Sequence, residues 1–426
     1  MRYVQSLRER YPALGAPLYR RYWNASLASV GGTQLLMLGQ GWVIYDLSGS
    51  TWDLGVLGAA TSIPAILMTF WGGALADRYE KKQLLMCTSA LTAISCALLF
   101  VLVLFDFVEV WHVWAIAASI AVVSGIDWPT RQSFFPHLID RSMMLSAVAL
   151  NSILWQVTRM IMPAIGGVIL AVDMSLVFLF GAIGYTLMIW ALLGMRIQVP
   201  GTTTDSTINQ IKEGLLFIAS KSIFVYLLTL SFGGMLFASS YTTLMPAFAT
   251  LLGSQEAGYG LLLSISGLGS IVGTAVVGSV TLHRSYGSVI LISALASGIA
   301  LIGFSVAAIS NSFWVAAAFV ALNAAFTSVS MVLLMTALQA SVPDQLRGRV
   351  MGIHSITYSL MPLGGLFLGA IAVPIGAPYA VIVTCFLFLI VIAFVTFNGP
   401  IRSIHGTLTR DLTEDSTQST PEQNQQ

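Results

Sequence analysis

Twelve apolar runs, each about as long as a helix that crosses a bilayer, leave this chain little choice of fold. A helix rising about 1.5 Å per residue needs about 20 apolar residues to cross hydrocarbon. Runs of that kind fall near residues 24–46, 53–76, 83–105, 110–130, 146–171 and 175–195, and again near 223–245, 259–282, 288–309, 313–337, 350–373 and 378–398. Most are separated by short turns, so runs adjacent in sequence are antiparallel neighbours in space. Only 9% of residues are charged and 56% are hydrophobic, against about 25% charged in a soluble domain. Such a chain cannot cover itself with polar surface in water, and its solvent is the lipid bilayer. The expected fold class is an all-α membrane protein.

Charge gives these spans a direction. Cytoplasmic loops collect Lys and Arg. With the N-terminus inside, every one of the 19 Lys and Arg residues except Arg159 falls in an inner loop or at the inner face. The outer turns then hold only acids: Asp46, Asp53, Asp106, Glu109, Asp173 and Glu256. The reading places the chain in the cell membrane with both termini cytoplasmic. The first run lacks a small-residue cleavage site and contains Gln34 and Gln40, so it is expected to stay as a span. A net charge of +1 argues against nucleic acid as a partner. Cys87, Cys96 and Cys385 lie in apolar runs with no metal or disulfide spacing, and read as small buried residues. No cofactor or metal site is expected.

The chain also repeats itself. Gly72 through Arg78 is echoed by Gly278 through Arg284, and Gln132-Ser133-Phe134-Phe135-Pro136 by Gln339-Ala340-Ser341-Val342-Pro343, at nearly the same offset. Pro163 through Gly167 is echoed by Pro362 through Gly365. The repeat divides the chain into a segment 1–22, a six-helix bundle 23–196, a linker 197–221, a second bundle 222–400 and a tail 401–426. The linker places Ile208, Ile211, Leu215 and Ile218 at helical spacing, which predicts an amphipathic helix on the membrane surface. The tail is rich in Ser, Thr, Gln and acids and is expected to be disordered.

The charged turn carries a resemblance. Gly73, Asp77, Arg78, Lys81 and Lys82 resemble the loop between the second and third helices of the major facilitator superfamily, whose transporters are built from two six-helix halves. Tyr45-Asp46-Leu47-Ser48-Gly49-Ser50, the Asp77 turn, and Arg347-Gly348-Arg349-Val350-Met351-Gly352 together look like its bacterial efflux branch, which includes macrolide-efflux-like and enterobactin-exporter-like proteins. Pro163, Gly166 and Gly167 resemble the fifth-helix signature of facilitator exporters. The resemblance implies a gate in which an acid at the end of the fourth span pairs with the basic cluster of the second-third loop. It also implies that Asp77 caps the start of the eleventh span, near Arg347 and Arg349, where the helix dipole favours a carboxylate.

Ionisable groups inside a membrane are costly, so each is a candidate for function. Asp127 lies in the fourth span, one or two turns from the inner face. It reads either as a proton site or as a structural partner of Lys81 or Arg131. Arg159 lies well inside the fifth span and stays charged there. Its partners in the first span would be Gln40 and Asp46. It reads either as a cavity charge that binds substrate or answers a protonating Asp46, or as half of a permanent pair. Trp155, Tyr241, Asn323 and Tyr358 mix aromatic and polar groups that suit an amphipathic organic substrate, and equally suit ties between helices. The leading reading is a secondary active exporter of a hydrophobic or amphipathic small molecule, driven by proton antiport and working as a monomer. The alternative is export of an acidic natural product such as a siderophore. A membrane enzyme is disfavoured, since the chain carries no phosphate-binding loop, His-Glu-x-x-His or Gly-x-Ser-x-Gly motif.

Overall fold

In a computed structural model, which describes residues 11–197, 199, 216–279 and 286–399, the chain is helical and among the described residues has no strand. The first six helices are α1 Pro17–Ser48, α2 Thr51–Arg78, α3 Lys81–Leu104, α4 Val110–Phe134, α5 Met144–Val172 and α6 Ser175–Leu193. The span α7 covers Ser222–Leu251. It is followed by α8 Gln255–Ser279, α9 Tyr286–Ile309, α10 Phe313–Ser341, α11 Asp344–Ile375 and α12 Ala377–Asn398. Eleven of these are long and apolar enough to cross a membrane. The twelfth is α1, whose 32 residues are made more polar by Arg20, Arg21, Gln34 and Gln40. The expected linker helix lies largely outside the described residues, as does the tail.

The turns close by local rules. Gly49 ends α1 in the left-handed region at φ +62°, its N–H donating to the Tyr45 carbonyl. The Ser50 hydroxyl then accepts from the Asp53 N–H and starts α2. At the other end of α2, the Glu80 carboxylate accepts from the Gln83 N–H and starts α3. The spans thus have an acidic end, carrying Asp46, Asp53, Asp106, Glu109, Asp173 and Glu256, and a basic end, carrying Arg78, Lys81, Lys82 and Arg131.

One span departs from its expected form. The run near 223–245 is not one regular helix. An α-helix over Ser222–Gly233 passes into a π segment at Gly234–Ala238, a 3-10 segment at Ser240–Leu244 and a last α-turn at Met245–Leu251. Paired Gly233-Gly234 and Ser239-Ser240 weaken the ladder there, and Pro246 removes a donor. Apolar counting does not see this, because every residue type in the break is compatible with lipid. The cysteines divide: Cys96 and Cys385 are buried, whereas Cys87 is exposed on α3. A thiol facing lipid pays no hydration cost, so an apolar neighbourhood does not require burial in protein.

Helices α1–α6 form one bundle and α7–α12 the other. The bundles meet mainly through α2 against α11 and α5 against α8, with smaller contacts of α1 and α2 on α7. Under the repeat, α2 corresponds to α8 and α5 to α11, so the two contacts exchange and the halves are pseudo-symmetric. Both are glycine-mediated. A methyl group added at Gly58 on α2 would sit 2.1 Å from the Pro362 carbonyl oxygen on α11. One added at Gly260 on α8 would sit 2.2 Å from the Pro163 carbonyl oxygen on α5. The proline of each signature therefore presents its backbone to a glycine of the opposite half. The Gly269 and Gly273 pair serves a different contact, within one half: both lie against α10, at the Ala321 and Ala325 carbonyls.

Candidate functional site

The glycine approaches between the halves all lie level with Arg159 or nearer the acidic end. Gly55 lies against Gly365 and Gly369 against Thr51, whose hydroxyl donates to the Gly369 carbonyl at 3.4 Å. On the other contact Gly167 meets Glu256 and Gly260, and Gly267 meets the backbone of Arg159 and Met160. Trp42 on α1 stacks on Tyr259 of α8, ring centroids 5.9 Å apart, and both are buried. The acidic end is thereby sealed. Toward the basic end the close approaches stop: at Gly278 on α8 and Gly352 on α11 no described atom lies within 4 Å of where a Cβ would be.

At the inner limit of that seal stands Arg159. It lies near the middle of the 29-residue α5, one turn before Pro163. Its pseudo-symmetric counterpart is Tyr358, one turn before Pro362 on α11. Both are exposed to the space between the halves. The Arg159 charge acts on Tyr358 and on buried Tyr241, which sits in the break of α7. Three spans from both halves thus bring one cation and two phenols to the same place. Among the described residues the guanidinium has no ion-pair or hydrogen-bond partner.

The first-span partners expected for Arg159 do not reach it. Asp46 is exposed at the acidic end, within electrostatic range of Glu256. Glu256 lies against Gly167, eight residues beyond Arg159, which is about 12 Å along the helix. Gln40 is buried with its amide nitrogen unpartnered. Sequence counting put Asp46 within reach because it ignored where α1 is held, by Trp42, relative to α8.

Asp127 is occupied elsewhere. Its carboxylate forms a salt bridge with Arg131, one turn on, and accepts from the Thr88 hydroxyl at 2.7 Å. Arg131 also donates to Ser29 at 3.1 Å. Lys81 is buried at the start of α3 and does not join the salt bridge, its backbone N–H donating to the Val199 carbonyl. Lys82 donates to the Met195 carbonyl at 2.8 Å. Arg131 borders a cavity of about 10 Å³, room for one water, lined also by Ser26, Asn151 and Trp155. Trp155 packs edge-on to Trp128 at 5.1 Å. The cluster ties α1, α3 and α4 together. Arg131→Ala strands the Asp127 charge, and such a loss costs about 3–5 kcal/mol. The expected result is a clear drop in the melting temperature of detergent-purified protein, recovered in Asp127→Leu/Arg131→Met. An unchanged melting temperature in Arg131→Ala would show the pair to be dispensable.

The remaining candidates scatter. Asn323 is buried and donates to the Ser297 carbonyl at 3.0 Å, tying α10 to α9 rather than facing the centre. Gly166 packs on Leu35 and Leu38 of α1. Arg78 is exposed and Arg349 half-buried at the basic end. Gly73 and the side chains of Asp77 and Arg347 lie outside what the structure describes, so the proposed cap on α11 does too. Tyr259 and Glu256 complete the seal, although in the sequence Glu256 reads only as an outer-turn acid and Tyr259 carries no mark of function. The further signal is Gly258 and Gly260 flanking an aromatic at the start of a span.

A family model described as transmembrane secretion effector matches residues 10–416. The staphyloferrin A transporter of Staphylococcus aureus is 26% identical over 366 residues, covering 82% of this chain and 88% of that protein. The enterobactin exporter EntS of Salmonella typhi is 24% identical over 372 residues, covering 85% and 88%. Among solved structures, the nucleoside transporter NupG superposes with a TM-score of 0.72 at 13% identity, over 89% of this chain and 98% of that one. The D-xylose-proton symporter gives 0.66 at 15%, over 92% and 98%. The chain is a multi-pass membrane transporter, not an enzyme, and belongs to the transmembrane secretion effector family of the major facilitator superfamily.

Proposed function

We propose that this protein is a secondary active exporter of a small molecule bearing an acidic group, with its basic end in the cytoplasm. The observation that carries the reading is Arg159, exposed at mid-span between the two halves and without an ion-pair or hydrogen-bond partner among the described residues. A permanent cation placed at mid-span costs about 2.5–3.5 kcal/mol even by insertion scales. Such a group is retained where an anion answers it, and the planar guanidinium suits a carboxylate or a similar oxyanion. Tyr241 and Tyr358 add phenols for an aromatic or hydroxylated body. The relatives named for staphyloferrin A and enterobactin support export of this kind of cargo. The second reading, a drug-like apolar compound exchanged for protons, is favoured by the two phenols beside Arg159, exposed Tyr358 and buried Tyr241.

A growth screen separates them. An efflux-deficient bacterial host expressing the chain should gain resistance to toxic organic acids, and not to their neutral amides. Resistance confined to neutral or cationic compounds would favour the second reading. Orientation is tested in the same host. Reporter fusions after Ser48 and after Ser312 should read as external, and a fusion after Lys82 as internal. Any reversal among the three breaks the assignment of the basic end to the cytoplasm.

A further inference from the structure

Arg159 has a consequence for the energy source, resting on the acidic-cargo reading. We infer that the carrier holds one net positive charge at its centre when empty and none when loaded with an organic monoanion, so that the membrane potential acts on the return of the empty carrier and export is electrogenic. The glycine contacts and the Trp42–Tyr259 stack close the acidic end, so in this conformation Arg159 shares the potential of the basic side. When the halves rock and the acidic end opens, it shares the potential of the other side. The charge crosses the field although the side chain hardly moves.

Among the described residues no other central group cancels it. Asp127 and Arg131 neutralise each other, and Asp46 and Glu256 stand at the acidic end. Helices α7 and α12 contribute no acidic or basic residue. Among the described residues, the titratable imidazole near the centre is His354. It is buried on α11, edge-on to Tyr358 at 6.2 Å and 3.4 Å from the Thr357 hydroxyl. Neutral, it adds no charge. With an inside-negative potential, the empty cation is drawn back to the cytoplasmic side, while the loaded, neutral form is indifferent. A full elementary charge across 100 mV is worth about 2.3 kcal/mol, which sets a ceiling of about 50-fold.

The test uses purified full-length protein in liposomes loaded with anilinonaphthalene sulfonate, whose charge is fixed at every working pH. Measurements are made near pH ~8, where an ordinary imidazole is neutral. A potassium gradient with valinomycin sets the potential. Net efflux should rise at least tenfold between zero and about 100 mV inside negative. Exchange against external probe, which cycles only the loaded form, should change less than twofold. Both hold for either orientation of the protein in the vesicle. Net efflux and exchange responding alike, or neither responding, would overturn the inference and leave the acidic cargo standing. Efflux driven by a pH gradient at zero potential, and lost in His354→Gln, would overturn it in favour of proton coupling. No flux of the sulfonate in either mode would overturn the cargo reading, and the inference with it.

Discussion

Arg159→Gln is expected to cut transport of an acidic cargo roughly 10–100-fold, the loss that follows when a charge-assisted hydrogen bond worth about 1.5–3 kcal/mol is removed. Folded protein should not fall with it. The guanidinium is exposed and no described acid depends on it, so its removal strands no charge. Adding Asp46→Ala to Arg159→Gln should change nothing further in folding, because the two lie about two turns apart along the seal. Arg159→Lys should keep part of the flux and bind more weakly, since the charge stays but the two-pronged donor is lost. Measured together, melting temperature and initial flux separate a cavity role from a structural one. A drop in stability that Asp46→Ala repairs would restore the structural pair.

Gly58→Ala and Gly260→Ala should have the second large effect, on the seal itself. The added methyl would stand 2.1 or 2.2 Å from a backbone oxygen of the opposite half. That is over 1 Å short of an ordinary contact of about 3.5 Å. Neither backbone can yield alone, because each carbonyl belongs to a proline turn within a span. Overpacking of this kind costs about 1–3 kcal/mol, which shifts a two-state gate roughly 5–100-fold away from the sealed form. The readout is labelling of Thr51→Cys, a seam position, in a background lacking the native cysteines. Labelling from the acidic side should rise in both glycine variants. Wild-type labelling with wild-type flux would show that these crossings do not hold the end shut.

The spans, their number and their pairing into two halves were legible because hydrocarbon imposes them locally. Each run must satisfy its own backbone, and each turn must carry its own charges. The prolines were legible too. Arg159 and Tyr358 stand four residues before Pro163 and Pro362, so the repeat alone puts them in equivalent places. What decides their surroundings is not local. Whether Arg159 meets Asp46 depends on how α1 sits against α8, a contact set by Trp42 and Tyr259 from opposite halves. Asn323 read as a cavity residue because an amide in a span looks the same whether it faces the centre or the Ser297 carbonyl of α9. The break in α7 escaped notice for a related reason. Gly233, Gly234 and the paired serines are as acceptable in a straight membrane helix as in a broken one. Yet that break is what presents Tyr241 to the site.

Recognition at Arg159 requires a negative group on the cargo. The direct measurement is paired flux in liposomes of one aromatic acid and its neutral amide, matched in size, through the wild-type protein and Arg159→Gln. The wild-type is expected to carry the acid at least tenfold faster than the amide, and Arg159→Gln to erase the preference by slowing the acid alone. Equal flux of acid and amide through the wild-type, or a preference that survives Arg159→Gln, would contradict it.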